Sequence, residues 1–248
     1  YRPDENIAET IKPGTALRPD AVPQELPCAF KSLHHLIGRT PLIAVNMTYK
    51  GEAVRIYAKL EYYNLSGSIK DRMALEVLRC AYKTGALRTG DLIVEATSGN
   101  AGIAFCALGR ALGHPVRIYM PDWMSQERIS LMKSYGADVR LVSKDEGGFV
   151  GSIQMAEDLA RSRNDVFLPR QFSNPDNCGA HCKGTGPEIL SALSAHGLVP
   201  DAFVAGVGTG GTVMGVGKAF KAINPHAKIH PLEPAESPTL TTGHKVGH

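Results

Sequence analysis

The sequence predicts an α/β protein built on parallel-rich sheets, and three observations predict it. Short apolar and β-branched runs alternate with amphipathic stretches along most of the chain, the strand-like runs are apolar on both faces, and three small-residue turns each join a strand to a helix. Regular alternation of this kind builds right-handed βαβ units. A parallel strand is covered on both faces, so its sequence is a continuous apolar run.

The elements follow in order. Residues 1–36 hold five prolines (Pro3, Pro13, Pro19, Pro23, Pro27) and little apolar period, which predicts an irregular arm laid over a body or a subunit. Val54–Leu60 is a strand. Asp71–Lys83 sets Met73, Ala74, Val77, Leu78, Ala81 and Tyr82 on one helical face, and Gly85 stops it. Leu92–Ala96 is a strand, Asn100–Leu112 a helix, Val116–Met120 a strand and Gln126–Tyr135 a helix. Val139–Val142 and Val166–Leu168 are strands on either side of a helix, Phe149–Arg163. Helix Gly184–His196, strand Ala202–Ala205, helix Thr212–Ile223 and strand Lys228–Leu232 complete the pattern.

Composition narrows the function classes. The chain has 248 residues, 43% hydrophobic and 21% charged, enough for a sizeable core in one large domain or two modest ones. A net charge of +3 gives no argument for nucleic acid or a membrane surface, and no apolar run reaches the length of a membrane span. Five Cys, an odd count, favour reduced thiols and a cytoplasmic setting over a disulfide framework.

The chemistry concentrates in the three turns. Gly206-Val-Gly-Thr-Gly-Gly-Thr212 follows a strand and opens a helix, so its free N–H groups and the helix dipole seat a phosphate, with Thr209 and Thr212 adding hydroxyls. A P-loop reading fails for want of Gly-Lys-Ser/Thr. A dinucleotide reading stays open, because Gly206, Gly208 and Gly211 satisfy G-x-G-x-x-G and Glu233 ends the next strand where a ribose-binding acid would stand. Glu95-Ala-Thr-Ser-Gly-Asn-Ala-Gly102 gathers Thr97, Ser98 and Asn100 at a helix start, either as a carboxylate seat or as an ordinary N-cap. In Asn64-Leu-Ser-Gly-Ser-Ile-Lys-Asp-Arg72, Lys70 falls in the first turn of a helix. The dipole there lowers the pKa of an amine and favours a nucleophile or base; the alternative is a solvated Lys beside Asp71 and Arg72.

Together the three turns resemble those of the pyridoxal-phosphate (PLP) enzymes of the cysteine synthase and cystathionine β-synthase family, fold type II. Ser66–Arg72 is similar to that family's Schiff-base segment, Glu95–Gly102 to its substrate-carboxylate loop and Gly208–Thr212 to its phosphate cup. Ile37-Gly-Arg-Thr-Pro-Leu42, Gln171-Phe-Ser-Asn-Pro-Asp-Asn177 and Thr185-Gly-Pro-Glu-Ile189 resemble further family stretches, in register from residue 37 to the end. The resemblance implies two three-layer αβα domains of the tryptophan synthase β type, with PLP in the cleft between them. It implies a smaller domain over 64–172 and a larger one of 37–63 plus 173–248. The family runs on for several tens of residues beyond His248, so the larger domain is expected to lack its C-terminal part, including the polar partner of the pyridine nitrogen.

Carried over residue by residue, the resemblance makes Lys70 the cofactor lysine and general base. It gives Asn100, Gly208, Thr209, Gly210, Gly211 and Thr212 to cofactor binding, and Thr97, Ser98, Gly99, Asn100 and Gln171 to the substrate carboxylate. The implied reaction is β-replacement on O-acetylserine or O-phosphoserine with sulfide, giving L-cysteine, by a homodimer. Cystathionine β-synthase-like chemistry and a diaminopropionate-type synthase are the alternatives within the family; an NAD-binding oxidoreductase and an inactive regulatory homologue are those outside it. Ala101 departs from the family's usual Thr and leaves the donor open. No metal is expected: Cys178-Gly-Ala-His-Cys182 offers three donors without a fourth, and Cys28 with His34 or His35 does not match a haem spacing. Cys80 and Cys106 fall on apolar helix faces and are expected in the core, and Trp123 in packing or a lid contact.

Overall fold

A computed structural model describes residues Ala21–Gly243. Pro3, Pro13 and Pro19 of the expected arm lie outside the described residues. The described chain divides into two compact units, 21–171 and 172–243.

The first unit is organised by a four-stranded parallel sheet in the order β5-β4-β3-β6, formed by β3 (Leu92–Ala96), β4 (Val116–Pro121), β5 (Asp138–Val142) and β6 (Val166–Phe167). Alternate residues of its strands enter two cores. Ile93, Ile118 and Met120 face α2 (Lys70–Thr84), α3 (Asn100–Ala111) and α4 (Gln126–Ser134), where Leu78, Tyr82, Phe105, Leu108 and Met132 are buried. Leu92 and Val94 face α5 (Gly148–Ser162), against Ala156 and Leu159. The result is a three-layer αβα body, as period-2 strands between helices require. Among the described residues no helix is long and apolar enough to cross a membrane.

The expected irregular arm is not irregular throughout. Residues 29–36 form helix α1, which sets Phe30, Leu33 and Ile37 into the first core, with the Phe30 ring edge-on to Tyr82 at 5.9 Å. The prolines at 23 and 27 masked an apolar period only eight residues long. A strand also escaped the sequence pattern. β1 (Leu42–Tyr49) pairs antiparallel with β2 (Glu52–Lys59) through Lys50 and Gly51, whose φ of 52° and 85° are those of a type I′ hairpin turn. The hairpin segment 37–63 groups by its contacts with 64–171, whereas the sequence reading joined it to 173–248. The contact is local: Thr40 and Glu61 both meet Arg72 of α2, at 3.2 and 2.6 Å.

In the second unit the parallel pair β7 (Ala202–Gly206) and β8 (Lys228–Leu232) carries α8 (Gly211–Ile223) on one face, with Phe203 and Phe220 edge-on at 5.5 Å. Val204 and Leu232 are exposed. The expected helix at 184–196 is longer and less regular: α6 (Pro175–Ala180), a π-helical turn His181–Thr185 and α7 (Gly186–Ser194) run on from one another, and a short α9 (Thr239–Thr242) closes the described chain. The π turn lies hard against α8. A Cβ at Gly215 would stand 2.6 Å from His181 Cβ and 2.9 Å from Cys182 N, so only glycine permits this approach.

Candidate active site

Lys70 opens α2, and its neighbours hold that helix start from two sides. Asp71, fully buried, accepts the Ser66 backbone N–H at 2.7 Å and the Ser66 hydroxyl, closing the loop 66–71 on itself. Burial raises the Asp71 pKa, against the Ser66 hydrogen bonds that lower it. Arg72 forms a two-pronged pair with Glu61, at 2.6 and 2.9 Å, and reaches Thr40 Oγ1 at 3.2 Å. Burial raises the Glu61 pKa, but the Arg72 hydrogen bond and charge, with Thr40 and Asn64, outweigh it and hold the carboxyl below its ordinary range. Asn64 joins by donating to Glu61 Oε2 at 2.9 Å while its Oδ1 accepts from Gly38 N–H at 2.8 Å. The entry segment, the turn at 61–63 and the start of α2 are thereby one hydrogen-bonded piece. Between Asp71 and Ile69, the half-buried Lys70 amine makes no hydrogen bond or ion pair among the described residues, and burial lowers its pKa.

The second turn crosses from β3 to α3. Thr97 is buried and its Oγ1 accepts from Gly99 N–H at 3.3 Å, whereas Ser98 and Asn100 are exposed. The N-cap residue of α3 is Gly99, with no side-chain cap hydrogen bond, so the capping reading of this Ser/Thr/Asn cluster is not what the structure adopts. Gln171, buried at the far end of the first unit's chain, comes to the same turn. Its backbone N–H donates to Glu95 Oε2 at 3.2 Å and its side chain reaches Ala96 O at 3.5 Å. Two stretches 75 residues apart in sequence, both expected at the substrate carboxylate, are therefore adjacent.

The third turn lies in the second unit, between β7 and α8. Gly210 takes a φ of 80°, in the left-handed region that favours glycine. Thr209 Oγ1 accepts from Asn177 Nδ2 at 2.8 Å, and a Cβ at Gly211 would stand 2.1 Å from Asn177 Oδ1. Thr212 Oγ1 meets His181 Nε2 at 3.3 Å, while His181 Nδ1 meets Thr185 Oγ1 at 2.9 Å within the π turn. Built Cβ atoms at Gly206, Gly208 and Gly210 would touch nothing within 4 Å, so the cradle is open. Open backbone, two hydroxyls and a 13-residue helix N-terminus fit a phosphate ester. The dinucleotide reading loses its acid: the two oxygens of Glu233 accept from Leu240 and Thr241 at the start of α9.

The sequence reading did not single out Thr40, Glu61, Asp71, Glu95, Asn177 or His181 as site residues. Asn177 closes the Gln171–Asn177 stretch, and its use as a prop for Thr209 requires the fold. Cys106 is fully buried, its thiol pushed up to about 12 by burial, but Cys80 is half-exposed beside Glu76 and Arg79 rather than in the core. Trp123 is 41% exposed, with the Lys144 amine 5.6 Å from its ring.

Comparison with known proteins gives consistent results. The chain is 43% identical over 213 residues to a probable cysteine synthase of Bacillus subtilis (strain 168), covering 86% of this chain and 68% of that protein. It is 42% identical over 217 residues to a cysteine synthase of Staphylococcus aureus (strain N315), covering 88% and 69%. Among solved structures, a hydrogen sulfide-producing enzyme from Fusobacterium nucleatum superposes with a TM-score of 0.86 at 55% identity, covering 88% of this chain and 66% of that one. The chain thus spans about two thirds of the length of these relatives. The description "Pyridoxal-phosphate dependent enzyme" belongs to the family profile that matches residues 33–248, and the chain belongs to that family.

Proposed function

We propose that the protein carries out β-replacement on an activated L-serine, O-acetylserine or O-phosphoserine, with sulfide as nucleophile and L-cysteine as product. The observation that carries this reading is Lys70: a half-buried amine with a lowered pKa, no partner among the described residues, and a helix start fixed on both sides. PLP, when bound, supplies an electron sink for the pair left at the substrate's Cα. Lys70 would hold it through Nζ, Asn100 would meet its ring hydroxyl, and the Gly208–Thr212 turn would hold its phosphate. The substrate carboxylate would sit on the Thr97–Ala101 amides and hydroxyls with Gln171, which orients Cα–H for removal. Lys70 Nζ, its pKa lowered by burial, would take the Cα proton; a positioned base of this kind is worth roughly 10²–10⁴-fold. A homodimer in the cytoplasm belongs to the same proposal, as does the assignment of 37–63 to the larger domain of the full-length protein.

A second reading is favoured by Ala101, buried at 2% exposure where the family usually has Thr, together with the 55% identity to an enzyme described as hydrogen sulfide-producing. In that reading cysteine is the donor and sulfide the leaving group. Visible absorbance of the PLP-loaded full-length protein, titrated with O-acetylserine, O-phosphoserine, serine and cysteine, separates the two. An activated serine should shift the band and sulfide should restore it. A shift with cysteine alone, accompanied by sulfide release, selects the second reading, and no shift with any of the four rejects both.

A further inference from the structure

We infer that Glu95 is a positioning residue that locks the two walls of the substrate-carboxylate site together, and so sets the affinity for the carboxylate of an amino acid. The inference rests on the reading of that site given above. Glu95 is the penultimate residue of β3 and is buried, 6% exposed. One of its oxygens accepts the Ala96 N–H at 2.9 Å, directly before the Thr97–Asn100 turn; the other accepts the Gln171 N–H at 3.2 Å. Gln171 closes the bracket by reaching back to Ala96 O. The strand pairing of β3 with β6 ends at Phe167 and does not extend to residue 171, so Gln171 meets the turn through this carboxylate and its own side chain.

A buried carboxylate in this position is unfavourable for stability, and burial pushes its pKa up to about 7, against the backbone hydrogen bonds of Gln171 and Ala96 that lower it. The charged groups that act on it are Arg170, next to Gln171, and Glu157 of α5, themselves paired at 2.8 Å. A glutamine would fill the same space with less electrostatic penalty, but it has one acceptor oxygen for two N–H donors. Only the ionised acid accepts both strongly. Amino-acid carboxylate affinity should therefore fall as the pH drops through 7.

The test compares wild type with Glu95→Gln in the PLP-loaded full-length protein. L-Serine and ethanolamine, which is serine without its carboxylate, are titrated by visible absorbance from pH 6 to 8.5. The expected result is that E95Q binds serine roughly tenfold more weakly at pH 8, the size of a lost hydrogen bond to a charged group. Ethanolamine affinity and the cofactor band should be unchanged, and the difference between wild type and variant should shrink below pH 7. Equal weakening of both amines, or no weakening of serine, overturns the inference. Hydrogen exchange at the Gln171 amide, measured without cofactor or substrate, tests the bracket apart from the function: faster exchange in E95Q supports it and unchanged exchange overturns it. If wild type fails to respond to any amino acid while Gln171 exchange still depends on Glu95, the proposed function has failed and the bracket has not.

Discussion

Lys70 and Arg72 are two residues apart and have opposite electrostatic situations. The Lys70 amine is half-buried and has no partner among the described residues, and burial lowers its pKa. The guanidinium of Arg72 is 5% exposed and fully answered by Glu61. Lys70→Ala should abolish the bound-cofactor absorbance and cut turnover by at least 10²–10⁴-fold, the worth of a positioned base, as a spectrum and a rate assay would show. Arg72→Ala should unfold the protein more easily by about 3–5 kcal/mol, because it strands the Glu61 carboxylate, and Arg72→Lys should restore only part of that in urea titration. Cys106 provides a check on burial: with its pKa near 12 and no exposure, it should resist alkylation at pH 8 while the exposed Cys28 reacts.

At the scale of elements, the catalytic candidates stand where strands give way to helices, and glycine decides how close those helices come. The contact of Gly211 with the Asn177 side chain joins the phosphate turn to α6. Gly211→Ala should therefore displace Asn177 from Thr209, lower stability by about 1–3 kcal/mol and reduce the cofactor retained on gel filtration. Much of this level was legible in sequence. Strands β3 and β8 match their expected bounds, and the helix starts at Lys70, Asn100 and Gly211 fall within one residue of those expected. α1 is short and sits among prolines, and the π turn follows from packing against α8, neither of which a local pattern encodes; β1 does alternate, with Val45, Met47 and Tyr49 set against Asn46 and Thr48, and that signal was there to be read.

For the molecule as a whole, stability should be unequal and pH-dependent. The four-stranded sheet has both faces covered, whereas β1–β2 and β7–β8 are two-stranded and expose Ile43, Ile56, Val204 and Leu232. Amide exchange should be slowest in β3 and β4 and faster in both two-stranded sheets. Glu95 and His114 act in opposite senses. The folded pKa of Glu95, about 7, is above its ordinary 4.5, so its contribution is present below pH 4.5 and lost as pH rises through 7. By linkage the loss is roughly 3 kcal/mol. His114, buried against Tyr82 and donating its Nδ1–H to Asp91 O at 2.7 Å, has its pKa lowered by burial, so its contribution is present above pH 6.5 and lost on acidification. Urea unfolding from pH 6 to 8 should show wild type losing stability relative to Glu95→Gln.

The sequence by itself determined the α/β class, the strand-turn-helix placement of Lys70, the Thr97–Asn100 turn and the Gly208–Thr212 turn, and the family. Each is encoded in residues close together along the chain: a hydrophobic period, a helix start, a run of small residues. Tertiary structure decided which side chains support those turns. Glu61 for Arg72, Gln171 and Glu95 for the carboxylate turn, and Asn177 and His181 for the phosphate turn are partners 11 to 76 residues apart. Buried polar groups must find hydrogen bonds wherever the fold brings a partner within about 3 Å, and spacing along the chain carries no record of that distance.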